Sequence, residues 1–316
     1  DGRLKMANRH SCLVLTLLAS PAAGLIASPL VPHRSGSNVV LQRPHPTASL
    51  AVVAAVPRQV AVSVGLNSGI AALGVAKNQG MLTPSGLANA WVLGVVLWAT
   101  LGWRGWSTCV LYLLAGSAVT KVKKAKKESM GIAEGRGGKR GPENVWGSAA
   151  TAALCALGAV AWPAWNGVLR LGFVASLATK LSDTCASEIG KAYGKSTYLI
   201  TTLKPVPPGT EGAVSLEGTA AGAVGSVVLA GYAVGCGLVG GSAITPCIVA
   251  AFVATNCESL IGASAQGRFA WLTNEVVNFV NTLIGALVAV AFGGPLWAKC
   301  IAGVVGIWPL VGALFA

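Results

Sequence analysis

WNGVLRLGFVASLATKLSDTCASEIGKAYGKSTY, residues 165–198, changes character at Ser182. Up to Leu181 it is close to a membrane crossing in length and mostly apolar. From Ser182 it gathers Asp183, Thr184, Ser187, Glu188, Lys191 and Lys195. Carboxylates at the end of a membrane helix are expensive and usually functional. The stretch therefore predicts a membrane helix that ends in chemistry. The chain around it agrees. Its hydrophobic fraction is 53% and its charged fraction 10%, against about 25% charged in a soluble domain. Glycine is abundant, 41 residues, and recurs as Gly218-x-x-x-Gly222 and Gly231-x-x-x-Gly235, a spacing that lets membrane helices approach closely.

Apolar segments fall at roughly 59–76, 86–101, 105–120, 145–162, 165–181, 214–235, 244–263 and 275–293, with a ninth candidate at 299–316 that contains Pro309. Backbone in lipid must satisfy its own hydrogen bonds. The expected fold is therefore an all-α polytopic membrane protein with eight or nine transmembrane helices. With eight spans taken in order, the Lys and Arg residues between 121 and 140 fall on one membrane face. Lys77, Lys180, Lys191, Lys195, Lys204 and Arg268 join them there. Only Arg104, Arg170 and Lys299 fall on the other. The positive-inside rule turns the first face toward a cytoplasm-like compartment. The acids from Glu128 to Glu275 lie in or beside the same loops, so the unusual polar sequence is one-sided. A site at one membrane face predicts this; a pore lined along its length does not.

Residues 1–58 are set apart from the membrane domain, 59–316. They carry Arg3, Lys5, Arg9, Arg34, Arg43 and Arg58 against a single acid, Asp1, and are rich in Ser, Pro and Ala. That composition fits a plastid targeting presequence. From Met6, MANRHSCLVLTLLASPAAG also has the basic start and short apolar run of a secretory signal, so a bipartite signal plus transit peptide is the second form of this expectation. The cysteines form no C-x-x-C pair and the histidines lie within 1–58, which speaks against a zinc site. Nothing points to nucleic acid, and the oligomeric state is left open.

Four polar constellations remain. TKVKKAKKESMGIAEGRGGKRGPENV (120–145) surrounds a glycine core with cations. Glycine backbone can turn N–H groups to an anion while Lys124, Lys127, Arg136, Lys139 and Arg140 neutralise phosphate; a basic loop touching anionic lipid is the alternative. Asp183 and Glu188 are hard oxygen ligands suited to Mg²⁺, or else partners of Lys180 and Lys191. They lie five apart, about 140° around a helix, and would share a metal only if the helix bent between them. LKPVPPGTEGAVS (203–215) offers a stiff loop in which Gly209, Thr210 and Gly212 could cradle phosphate beside Lys204, or a rigid turn. Asn274, Asn278 and Asn281 form one helical stripe near Asn256, Glu258 and Glu275, facing a cavity or other helices.

Together these segments resemble one family. The runs KKAKKESMGIAEGRGGKRGPENV, LGFVASLATKLSDTCASEIGKAYGKSTYLITTLKPVPPGTEGAVSLEGT, ESLIGAS and WLTNEVVNFVNTLIG are similar to the integral-membrane family that includes the plastid phytyl-phosphate kinase of vitamin E synthesis. The likeness covers roughly 60–293. Glu258 and Glu275 stand where relatives often carry Asp, and Pro205 and Pro208 replace other residues. The resemblance implies phosphoryl transfer from a nucleoside triphosphate, CTP favoured, to phytyl monophosphate, giving phytyl diphosphate for tocopherol synthesis and phytol salvage. It implies a multi-pass plastid membrane protein, in the inner envelope with its active face to the stroma. Asp183, Glu188 and Lys204 become the catalytic candidates. Asp183, Glu188 and Glu258 become the Mg²⁺ candidates, and the cations, Gly209, Thr210, Gly212 and the Asn stripe the nucleotide contacts. Two other classes stay open: a prenyl alcohol kinase or isoprenoid nucleotidyl transferase, and a membrane carrier for anions or prenyl lipids.

Overall fold

The computed structural model describes residues 47–76 and 80–293, with side chains from residue 59. The chain divides into two units, Asp1–Val52 and Val53–Ala316, and the fold below is that of the second. Most of the expected presequence and the ninth candidate span lie outside the described residues.

The order is α1 (Thr47–Ala76), α2 (Pro84–Thr120), α3 (Lys124–Ser129), α4 (Pro142–Ala161) and α5 (Asn166–Tyr193). Strands β1 (Tyr198–Leu199) and β2 (Ala213–Val214) follow, then α6 (Leu216–Gly235), α7 (Ile244–Ser264) and α8 (Asn274–Gly293). α1 begins inside the segment expected as presequence. Local chemistry sets several starts. Thr83 caps α2, its hydroxyl accepting from the Gly86 N–H with Pro84 next in the chain, and Ser215 caps α6 by accepting from the Gly218 N–H. Both devices satisfy N–H groups that a helix start leaves free.

α2 has 37 residues, about 55 Å if straight, against a hydrocarbon core of about 30 Å. It is not straight. Gly102 sits at φ 66, ψ −163, a conformation open essentially to glycine. Both arms return to one face: the Thr83 N–H donates to the Arg140 carbonyl, and Gly116 near the other end lies against the Arg140 guanidinium. α2 is thus a helical hairpin, the two segments expected at 86–101 and 105–120. Trp98 meets Trp106 edge-on across the bend. At the far face Arg104 donates to the Gly237 carbonyl after α6.

α5 is the central helix, packed against α2, α4, α6, α7 and α8. Its most extensive neighbour is α6, and the reason is glycine. A Cβ on Gly218 would strike the Ala186 carbonyl, one on Gly222 would lie 3.0 Å from the Ser182 carbonyl, and one on Gly225 would lie 3.0 Å from the Cys185 sulfur. Gly231 and Gly235 face open space, so the second small-residue pair expected from the sequence makes no such contact. Gly222→Leu should therefore cost about 1–3 kcal/mol or more by overpacking, while Gly231→Leu should leave the thermal midpoint in detergent unchanged. Equal midpoints for both variants would remove the glycine seam as the cause of this packing.

Five described helices are long and apolar enough to cross a membrane: α2, α4, α6, α7 with its leading turn, and α8. The difference from the expected eight or nine has physical causes. α2 counts once although it bends back on itself. α5 is left out because Arg170, Lys180, Asp183, Glu188 and Lys191 interrupt its apolar length. The apolar part of α1, Gln59–Val75, is short.

Candidate functional site: a charged chamber at one membrane face

The charges of α5 are affordable only because five elements enclose them. Lys180 and Asp183 are buried, one turn apart. The Lys180 ammonium donates to Asp183 Oδ2 at 2.5 Å and to Asn278 Oδ1 of α8 at 2.5 Å. Glu258 of α7 brings its carboxyl within hydrogen-bond reach of Asp183. Two carboxylates pressed together repel when both are ionised, and a proton or a cation between them relieves this.

The basic loop closes over this pair. Its Arg140 backbone is stitched to the segment before α2: its N–H donates to the Met81 carbonyl and its carbonyl accepts from Thr83. The guanidinium donates to the Tyr112 hydroxyl at 3.0 Å. Among the described residues neither Arg140 nor Lys139 has an acidic partner. Arg136, in a turn at φ 54, pairs with Glu143 and donates to Asn144, whose amide donates to Glu275 Oε1 at 3.1 Å. This chain ties the glycine turn to α4 and α8. The cavity between them measures about 720 Å³.

Of the residues singled out in the sequence, Asp183, Glu258, Arg136, Lys139, Arg140, Gly209, Thr210, Gly212, Asn274 and Asn278 line it, together with Lys191, Asn256 and Glu275. Glu188, Lys124, Lys127, Lys204 and Asn281 do not. Glu188 points away from Asp183, as the helical angle foretold, and is buried in an ion pair with Lys127. No bend brings the two acids of α5 to one metal. Lys124 pairs with Glu128 outside the chamber, and Lys204 is exposed beyond its lining. Asn281 is buried below it, with neither side-chain polar atom hydrogen-bonded. Gly209 and Gly212 do line the chamber at φ 87 and 73. Yet a Cβ at Gly209 would strike Ile132, and one at Gly212 would strike Ser259 and Ala263 of α7. Their freedom serves close packing of the loop. Lys180, known from the sequence only as a partner for Asp183, stands at the centre. Tyr112 and Asn144 carried no signal, one lying in an apolar run and the other beside a capping turn.

The chamber lies within residues 67–286, which match a family described as integral membrane protein DUF92. The chain belongs to the DUF92 family. An uncharacterized membrane protein of Synechocystis is 56% identical over 232 residues, 72% of this chain and 89% of that protein. The Arabidopsis thaliana protein VTE6, chloroplastic, is 48% identical over 219 residues, 66% of this chain and 64% of its own length. An uncharacterized membrane protein of Methanocaldococcus jannaschii is 30% identical over 217 residues, 68% of this chain and 87% of that protein. No solved structure matches this DUF92 chain.

Proposed function

We propose that this DUF92 protein is a prenyl-phosphate kinase, moving a phosphoryl group from a nucleoside triphosphate, CTP favoured, to phytyl monophosphate. The observation that carries the reading is the shared chamber: a contacting carboxylate pair, Asp183 and Glu258, faces cations of which Arg140 and Lys139 have no acidic partner among the described residues. Such a chamber suits a ligand that brings negative charge together with a cation. The similarity to VTE6, chloroplastic, supports a role in vitamin E synthesis and a plastid membrane; the inner envelope, with the chamber turned to the stroma, is the orientation that the one-sided Lys and Arg residues favour. Counting α2 twice and adding α1 and α5 gives eight crossings.

Phosphoryl transfer asks mainly for positioning and charge neutralisation. Arg140 and Lys139 would take the donor phosphates, with Arg136 at the rim. Lys180, held between Asp183 and Asn278, would neutralise the acceptor phosphate. A phosphate monoester is already anionic at neutral pH, so no strong general base is needed. The acids Asp183 and Glu258 fit Mg²⁺, which binds through one or two carboxylates plus substrate phosphates. When bound it would neutralise charge on the phosphates. No cluster of three acidic, cysteine or histidine ligands exists among the described residues. The metal reading thus rests on this pair alone, and Glu188 has no part in it.

The deciding assay is product mass. The chain in nanodiscs with Mg²⁺ receives phytyl phosphate or phytol, each with CTP, ATP, UTP or GTP. Phytyl diphosphate from the monophosphate is the expected result. A nucleoside kept on the product would make it a nucleotidyl transferase. Phosphate added only to phytol would make it an alcohol kinase. No product from folded protein would move the reading to a carrier.

A further inference from the structure

The chamber does not end at its charges. Its wall continues along Gly222, Ala223 and Ser226 of α6 and along Ile248, Val249 and Phe252 of α7. Ile248 lies ten residues before Glu258 on the same helix, about 15 Å at the helical rise. α6 runs the opposite way from its cap at Ser215, and Ser226 reaches a similar depth. The groove thus descends from the carboxylate pair through about half of a hydrocarbon core of ~30 Å. Its α6 side consists of small residues, which leaves room; its α7 side is aliphatic and aromatic. It is also open at its flank, because Ala223 is exposed and Phe252 is 55% exposed while both line the cavity.

From this we infer that the α6–α7 groove is the binding site for the hydrocarbon chain of a lipid monophosphate, which enters sideways from the bilayer between Ala223 and Phe252. The inference rests on the kinase reading for the headgroup, and it adds where the chain lies and what measures its length. A lipid whose anionic head sits at Lys180, among the charges of the chamber, must leave its chain somewhere. The groove begins at those charges and runs apolar into the membrane interior. A soluble sugar or amino acid phosphate would have no use for it. Val249, far down the α7 wall, is placed to limit chain length, and Phe252 to stand at the entrance.

Two measurements on the full chain in nanodiscs test this. A C20 prenyl monophosphate carrying a diazirine at the chain terminus is photolysed on the wild type and the labelled peptides are mapped. Label on residues 222–226 or 248–252 is expected; label confined to other helices, or none, overturns the groove. This readout needs no turnover, so it stands even if no phosphoryl transfer is found and the kinase reading falls. Where the wild type is active, Val249→Phe is compared on C20 and C10 prenyl monophosphates. A kcat/KM loss of roughly tenfold or more is expected for the long chain with about twofold or less for the short, since even single methylenes shift such ratios by about 10–200-fold. Retained short-chain turnover shows that the variant is folded. Wild-type kcat/KM on both chains removes Val249 as the ruler.

Discussion

Asp183→Asn should lower turnover by roughly 10³-fold, about 4 kcal/mol of barrier, and leave the thermal midpoint equal or higher. The two halves of that expectation come from one geometry. Asparagine keeps the shape and still offers an oxygen to Lys180, whose ammonium donates to Asp183 Oδ2. Its amide N–H₂ turned toward Glu258 would replace a repulsive carboxylate pair by a donor–acceptor contact. The buried Lys180 ammonium loses its ion pair with Asp183 but keeps the Glu258 carboxylate as counter-charge, so no charge is stranded and folding loses no net pairing; the second negative charge needed to hold a cation beside the phosphates is gone. Glu258→Gln relieves the same repulsion from the other side and is expected to weaken the apparent affinity for Mg²⁺, with part of the rate recovered at high metal. A wild-type rate for Asp183→Asn at limiting Mg²⁺ would remove the pair from the reaction and leave the chamber as an anion site only.

The helices were legible because apolar length and one-sided charge are local properties. Residues 86–101 and 105–120 separate around Gly102, and the backbone there adopts a conformation that other residues avoid. The clustering of the site at one end of the helices was also legible, since Asp183 follows an apolar run, Arg140 precedes one, and Glu258 and Asn278 lie near the ends of two others of the right parity. The contents of the chamber were legible only in part. Which of two acids on one helix enters a cavity depends on the helices around it. The α5 angle separates Asp183 from Glu188, but only the position of α7 shows that Glu258, and not Glu188, meets Asp183.

The loop between α5 and α6 shows a different limit. Its prolines and glycines read as a phosphate cradle or a rigid turn, and the structure adds a small antiparallel ladder in which Tyr198 opposes Val214 and Leu199 opposes Ala213. Two-residue strands leave no alternating pattern to read. Leu203, at φ 54, turns the chain where a glycine would have announced it. Lys204 follows this turn to the exposed side, and the cation at the centre of the chamber is instead Lys180, a residue inside a helix.

The other large effect concerns the acid that left the site. Glu188 and Lys127 are each about 1% exposed and ion-paired across 61 residues of sequence, fastening the basic loop to α5. Removing one partner of such a pair strands a buried charge at about 3–5 kcal/mol. The two single variants should differ. Glu188→Leu leaves the Lys127 ammonium with the Thr120 carbonyl at 2.7 Å, and should approach the full cost. Lys127→Met leaves Glu188 with Lys191 at 3.4 Å, and should cost less. The double variant Lys127→Met/Glu188→Leu should recover much of the loss, because well-packed apolar replacements of a buried pair are often neutral or stabilising. Thermal midpoints in detergent give the stabilities, and product formation decides what they mean. A folded double variant that still forms product assigns Glu188 to architecture, holding the lid of cations over a site it does not enter. A double variant as stable as the wild type but as inactive as Asp183→Asn would return Glu188 to the chemistry, and the ion pair would then be a resting state that the substrate must break.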